Sequence, residues 1–162
     1  MAKKNSDIID IEIGGIKKKR FRIDKDDSKI IELDTTDINI VKRFEESIPI
    51  ITQIMQERED LGDIPEVDDN DSTEDAMNTV HKITNALDSI EQKLRKQIDY
   101  IFDSNVCEII CGNSSIFTPM DGSLRYERII LALIPLYENG LNEEAEKVQE
   151  RLKKSTDKYT RG

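Results

Sequence analysis

Apolar positions along the chain change period several times, and each change marks an expected element. From Ile8 to Asp24, apolar residues alternate with polar ones at Ile9, Ile11 and Ile13, Gly14-Gly15 interrupts, and a basic run leads to Phe21 and Ile23. Alternation around a glycine pair predicts a β-hairpin. A two-residue Gly14-Gly15 turn would set Ile11 against Lys18 and Ile9 against Arg20. A three-residue loop, Gly14 to Ile16, sets Ile9 against Phe21, Asp10 against Arg20 and Glu12 against Lys18. The second register is preferred because opposite charges then face each other across the strands. Lys29–Leu33 is a candidate third strand.

From Thr36 onward the spacing becomes helical. Thr36 or Asp37 can cap a helix whose apolar positions are Ile38, Ile40, Val41, Phe44, Ile48, Ile51, Ile54 and Met55. Pro49 predicts a kink or break near Ser47. Ser72 or Thr73 caps the longest element, in which Met77, Val80, Ile83, Leu87, Ile90, Leu94, Ile98 and Ile101 form one uninterrupted stripe. Such a stripe suits a coiled-coil seam between two chains or one wall of a bundle; the chain has other helices to cover it, so the intramolecular reading is preferred. A turn at Asp103-Ser104-Asn105 and a short helix ended by Gly112 follow. After a polar loop, Asn113 to Gly122, Leu124–Asn139 is apolar nearly all round, with Pro135 near its end and Gly140 as its expected stop. Leu141–Lys154 is a charged last helix. The fold class expected is α+β, mainly α: an N-terminal hairpin, then four to five helices including one long one.

Charge divides this chain of 162 residues. Of the net −10, the stretch from Glu57 to Asp75 holds ten acidic residues and one basic, which leaves a net of −1 elsewhere. The expected organisation is a hairpin with a kinked helix (1–56), an acidic solvated linker (57–75), a helical region (76–154) and a frayed tail (155–162). An EF-hand loop counted from Asp69 places Glu74 where Gly is needed and Val80 where a bidentate Glu belongs; counted from Asp68 it places Thr73 and Thr79 there. Neither register is a calcium site.

Little else in the sequence points to catalysis. No phosphate-binding glycine motif occurs, and the only histidine, His81, flanks the long stripe. Cys107 and Cys111 lie about one helical turn apart and read as two small buried thiols, since zinc would require four ligands. Few cysteines and no apolar run of about 20 residues indicate an intracellular chain with no membrane partner. The run Lys17-Lys18-Lys19-Arg20 with Arg22 is partly matched by Asp10 and Glu12, so a paired strand is preferred over a nucleic-acid arm. Catalytic residues, metal ligands and cofactors are therefore expected to be none.

The segment Ile98–Gly112 (IDYIFDSNVCEIICG) resembles the C-terminal part of tail assembly chaperones of long-tailed, siphovirus-like bacteriophages. In that family an I-D-x-I-F stretch precedes a glycine-containing turn, a short helix and a second glycine. This chain has Ile98, Asp99, Ile101, Phe102 and Gly112, with Asp103 and Ser104 where glycine is usual. The resemblance implies a non-catalytic role in the cytoplasm of a bacterial host. Its implied client is the tape measure protein, kept soluble before the tail tube forms, with the tail tube protein as a secondary partner. A homo-oligomer is the other partner expectation, and a dimerising scaffold using the coiled-coil-like helix is the alternative function. The candidate partner-binding residues are Phe44, Ile48, Ile51, Met55, Leu87, Ile90, Leu94 and Ile98.

Overall fold

The hairpin forms later in the chain than the alternation suggests. The structure, a computed structural model, describes residues 7–15, 17–62 and 72–160. Strand β1 (Lys19–Ile23) pairs antiparallel with β2 (Asp26–Leu33), with Phe21 opposite Ile31 and Lys19 opposite Leu33. The turn is Asp24-Lys25, both at positive φ (49° and 60°), the backbone of a type I′ hairpin. Asp tolerates that left-handed region, so a polar cluster takes the place expected of Gly14-Gly15. Ile8–Ile13 belong to no strand and are exposed, and Lys29–Leu33 is the latter part of the second strand rather than a third. Burial decides between the two alternating segments. Ile31 and Leu33 alternate into the core beside half-buried Phe21 and Ile23. Ile16, part of the expected loop, lies outside the described residues.

Helix α1 (Asn39–Asp60) starts slightly later than expected: its N-cap is Ile38, without a side-chain cap bond, rather than Thr36 or Asp37. The Asp37 carboxylate accepts from the Asn39 N–H (3.0 Å) and holds the Arg43 guanidinium (2.9 Å). It is continuous through Pro49 rather than broken near Ser47. The Pro49 ring and Glu45, whose carbonyl it leaves without a donor, are both exposed, so water can serve that carbonyl. Buried Ser47 anchors the same turn, donating to the Arg43 carbonyl (2.7 Å) and accepting from Gln97 of the next helix. That helix, α2 (Thr73–Phe102), is capped by Ser72, whose hydroxyl accepts from the Asp75 N–H (3.1 Å). Glu74 and Asp75 suit the positive end of its dipole.

Glu57–Asp60 and Thr73–Asp75, assigned to a linker from their charge, are helical. Glu57 pairs with Lys93 (3.0 Å) and Arg58 stacks 4.5 Å from the Phe117 ring centroid. Residues 63–71, including both calcium registers' first positions, lie outside the described residues.

After the short helix α3 (Val106–Cys111), strands β3 (Pro119–Met120) and β4 (Ser123–Leu124) make a small ladder around Asp121-Gly122. Helix α4 (Arg125–Thr160) then runs through both Pro135 and Gly140, so the expected last two helices are one and residues 155–160 continue it. Gly140 is no stop. It is buried, and a Cβ there would fall 2.4 Å from the Thr35 carbonyl oxygen, so the glycine lets the segment after β2 lie directly on α4. Ile129, Leu133 and Tyr137 face the core, but Leu131 is 70% exposed, against the expectation of burial all round. The sheet, α1, the second half of α2, α3 and the first half of α4 share one core.

Candidate functional site

Helix α2 outruns its neighbour. α1 and α2 are antiparallel, tied by Glu46 to Tyr100 (2.6 Å) at one end and Glu57 to Lys93 (3.0 Å) toward the other. Because α1 ends at Asp60, the turns of α2 from Thr73 to Leu87 stand clear of it. At 1.5 Å per residue that free length is about 22 Å. Along one side of it Met77, Val80 and Leu87 are exposed (56%, 49% and 36%) and Ile83 is half-buried. Exposed apolar residues in a contiguous helical stripe mark an interaction surface more often than singly scattered ones do.

The expected partner-binding residues divide three ways. Ile48 and Leu87 are exposed; Phe44, Ile51 and Met55 are half-buried against the core. Ile90, Leu94 and Ile98 are buried core residues and present nothing to a partner, because α1 and α3 cover that half of the stripe. Phe44 also lines a groove of about 350 Å³ between α1 and α4, with Ile40, Val41, Ile134, Tyr137 and Leu141 as walls and Glu45 and Glu138 among its lining. No local pattern signals that groove, since its walls come from distant parts of the chain.

The segment Ile98–Gly112 forms a packed corner rather than a surface. Ile98, Ile101, Phe102, Val106 and Cys107 are buried. Asp103, at the turn, adopts the left-handed conformation (φ 47°), which glycine fits most easily and which Asp tolerates. Asp99 accepts from the Cys107 N–H (3.0 Å) and so holds the start of α3. Arg95 donates to the carbonyls of Gly112 (3.2 Å) and Ser114 (2.7 Å) and pairs with Glu91 (3.3 Å). Glu91 in turn accepts from the Ile116 N–H (2.8 Å) and the Ser115 hydroxyl (3.2 Å). The loop after α3 is thereby tied to α2 by charge-assisted bonds.

Burial raises the Asp99 pKa above the usual aspartate range, against the lowering effect of its backbone bonds to Cys107 and Val106. A carboxyl whose folded pKa is raised contributes stability that is full below its unfolded pKa and is lost as pH rises through the folded one. Asp99→Asn keeps an acceptor for Cys107 and removes the titration. The variant is expected to gain on the parent chain as pH rises from 4 to 7. Denaturant melts at the two pH values measure this; a parent chain that gains on the variant over that range would refute the assignment.

Both thiols are buried, and burial pushes their pKa values up, that of Cys107 furthest. They are held as neutral thiols and are poor nucleophiles. His81 lies exposed on the free half of α2. Among the described residues no group of three or more His, Cys, Asp or Glu is placed to hold a metal ion, and no helix is long and apolar enough to cross a membrane. The basic residues of β1 are ion-paired: Lys19 with Glu143 (3.9 Å), Arg20 with Glu32 (3.7 Å) and Arg22 with Asp27 (2.7 Å).

No family model matches the sequence, and no curated protein or solved structure shows significant similarity to it.

Proposed function

We propose that this chain is a non-catalytic chaperone of the tail assembly type, which binds the tape measure protein and keeps it soluble until the tail tube assembles around it. The observation that carries this reading is the stripe Met77, Val80, Ile83 and Leu87, presented on a helix half that stands clear of the bundle. A long helical client exposes apolar stripes of the same period, and helix-to-helix contact covers both at once. The net charge of −10 keeps such a complex dispersed. The resemblance at Ile98–Gly112 supplies the client's identity.

Co-expression with a tape measure protein from a long-tailed phage tests the reading. That protein is expected to be soluble with this chain and insoluble without it. The double variant Val80→Asp/Leu87→Asp should lose most of the effect, since central apolar anchors cost about 2 kcal/mol or more each when removed. Its circular dichroism should match the parent, because both side chains are exposed. Undiminished client solubility with the double variant would remove the stripe from the mechanism.

The same stripe supports a second reading, a scaffold that dimerises through α2. In that case light scattering shows a dimer that the double variant abolishes, and the client's solubility is indifferent to both chains.

A further inference from the structure

The segment before β1 has no place in the bundle, yet its pattern matches the strand that follows it. Ile8, Ile9, Ile11 and Ile13 are exposed, Ile9 and Ile13 to 84% and 90%. Asp10 and Glu12 alternate with the last three, so the segment when extended carries Ile9, Ile11 and Ile13 on one side and Ile8 with the two carboxylates on the other. β1 shows the complementary pattern, with Phe21 and Ile23 half-buried and Arg20 and Arg22 exposed between them. The sheet has two strands, so among the described residues the outer edge of β1 has no strand partner. The outer side of β2 is taken up by the bundle instead: the Ser104 hydroxyl donates to the Glu32 carbonyl (2.9 Å) and Lys29 to the Ile110 carbonyl (3.2 Å).

We propose that Ile8–Ile13 of one copy adds to the outer edge of β1 in a second copy as an antiparallel third strand, and that the exchange is reciprocal. With Asp10 opposite Arg22, the register places Glu12 opposite Arg20, Ile9 opposite Ile23 and Ile11 opposite Phe21. Both carboxylates then meet a guanidinium, and both isoleucines extend the apolar side of the sheet. The present partners of Arg20 and Arg22 are exposed, and each guanidinium keeps donors for a second carboxylate. A two-stranded sheet gains most from a third strand. In its own chain the segment forms no strand, whereas two-fold symmetry gives each copy both a donor segment and an acceptor edge. Two such short strands bury less than a standard interface, so the dimer is weak and concentration-dependent.

Cross-linking tests the register and the donor together. Directly opposed cross-strand residues have Cβ atoms about 5 Å apart, close to a disulfide's span. Chains carrying Asp10→Cys and chains carrying Arg22→Cys, mixed and mildly oxidised, should give a disulfide-linked dimer that neither gives alone; Cys107 and Cys111 are buried and do not compete. A chain carrying both substitutions should also link as dimers. An intrachain link in a monomer, or no link in the mixture, overturns the proposal. By light scattering the dimer should vanish when residues 1–13 are removed and persist in Val80→Asp/Leu87→Asp. The converse pattern assigns the dimer to α2 and also overturns it. The inference stands independently of the chaperone reading, which no outcome here decides.

Discussion

Glu91→Ala should destabilise the protein by about 3 kcal/mol, the largest effect expected of any single polar substitution here. The Arg95–Glu91 pair is largely enclosed, with side chains 15% and 16% exposed, and Glu91 also serves the Ile116 N–H (2.8 Å). Removing Glu91 leaves Ile116, which is fully buried, with an N–H lacking its acceptor, and leaves Arg95 without its countercharge. Arg95 keeps two carbonyl partners and some contact with water, which holds the loss near the lower end of the range for broken buried pairs. Glu91→Gln retains the acceptor and gives up only the charge, so about half of the loss is expected. Thermal melts separate them: a chain of this size loses roughly 2–4 °C per kcal/mol, or roughly 6–12 °C for the alanine variant. Equal melting points for the two variants would show that the acceptor for Ile116 contributes nothing.

Gly140→Ala sets two effects against each other. In an open helix interior the change from Gly to Ala stabilises by about 1 kcal/mol. Here the new methyl would lie 2.4 Å from the Thr35 carbonyl oxygen, 2.8 Å from its Oγ1 and 2.9 Å from its Cβ. Thr35 is buried, so the clash is with backbone that cannot swing into solvent. Overpacking of this kind costs about 1–3 kcal/mol or more, and separation of α4 from the segment after β2 is its expected form. The net expectation is a loss of up to about 2 kcal/mol, from the clash less the helix gain. Asn139→Ala, one residue earlier and exposed, should change stability little. A raised melting temperature for Gly140→Ala would mean that the contact with Thr35 is not as close as described.

What the sequence made legible was local. The Ser72 cap, the turn at Asp103–Asn105 and the stop at Gly112 each depend on neighbours within a few residues, and each stands where it was expected. The hairpin was misplaced because Ile9–Ile13 alternate as well as Ile31 and Leu33 do. Only contact with the helices, which is not written locally, selects the second pair. Gly140 misled for the same reason, since its purpose is set by Thr35, far earlier in the chain. The stripe of α2 was legible as a stripe, but its covered half was not. That follows from the lengths of α1 and α2, which place Leu94 and Ile98 under cover and leave Met77 and Val80 outside it.

α2 is a single run of hydrogen bonds resting on two unequal supports. Leu94, Ile98 and Ile101 are fully enclosed, so that half opens only when the core itself opens. The turns from Thr73 to Leu87 rely on one cap and on propensity, and an isolated helix of about 12–15 residues is marginal in water. That half is therefore the less firmly held of the two, nucleated by the packed half but not covered by it. A partner that binds this half also has to hold it helical, which offsets part of its affinity. On the proposed chaperone reading, a grip of this kind suits the handing-on of a client.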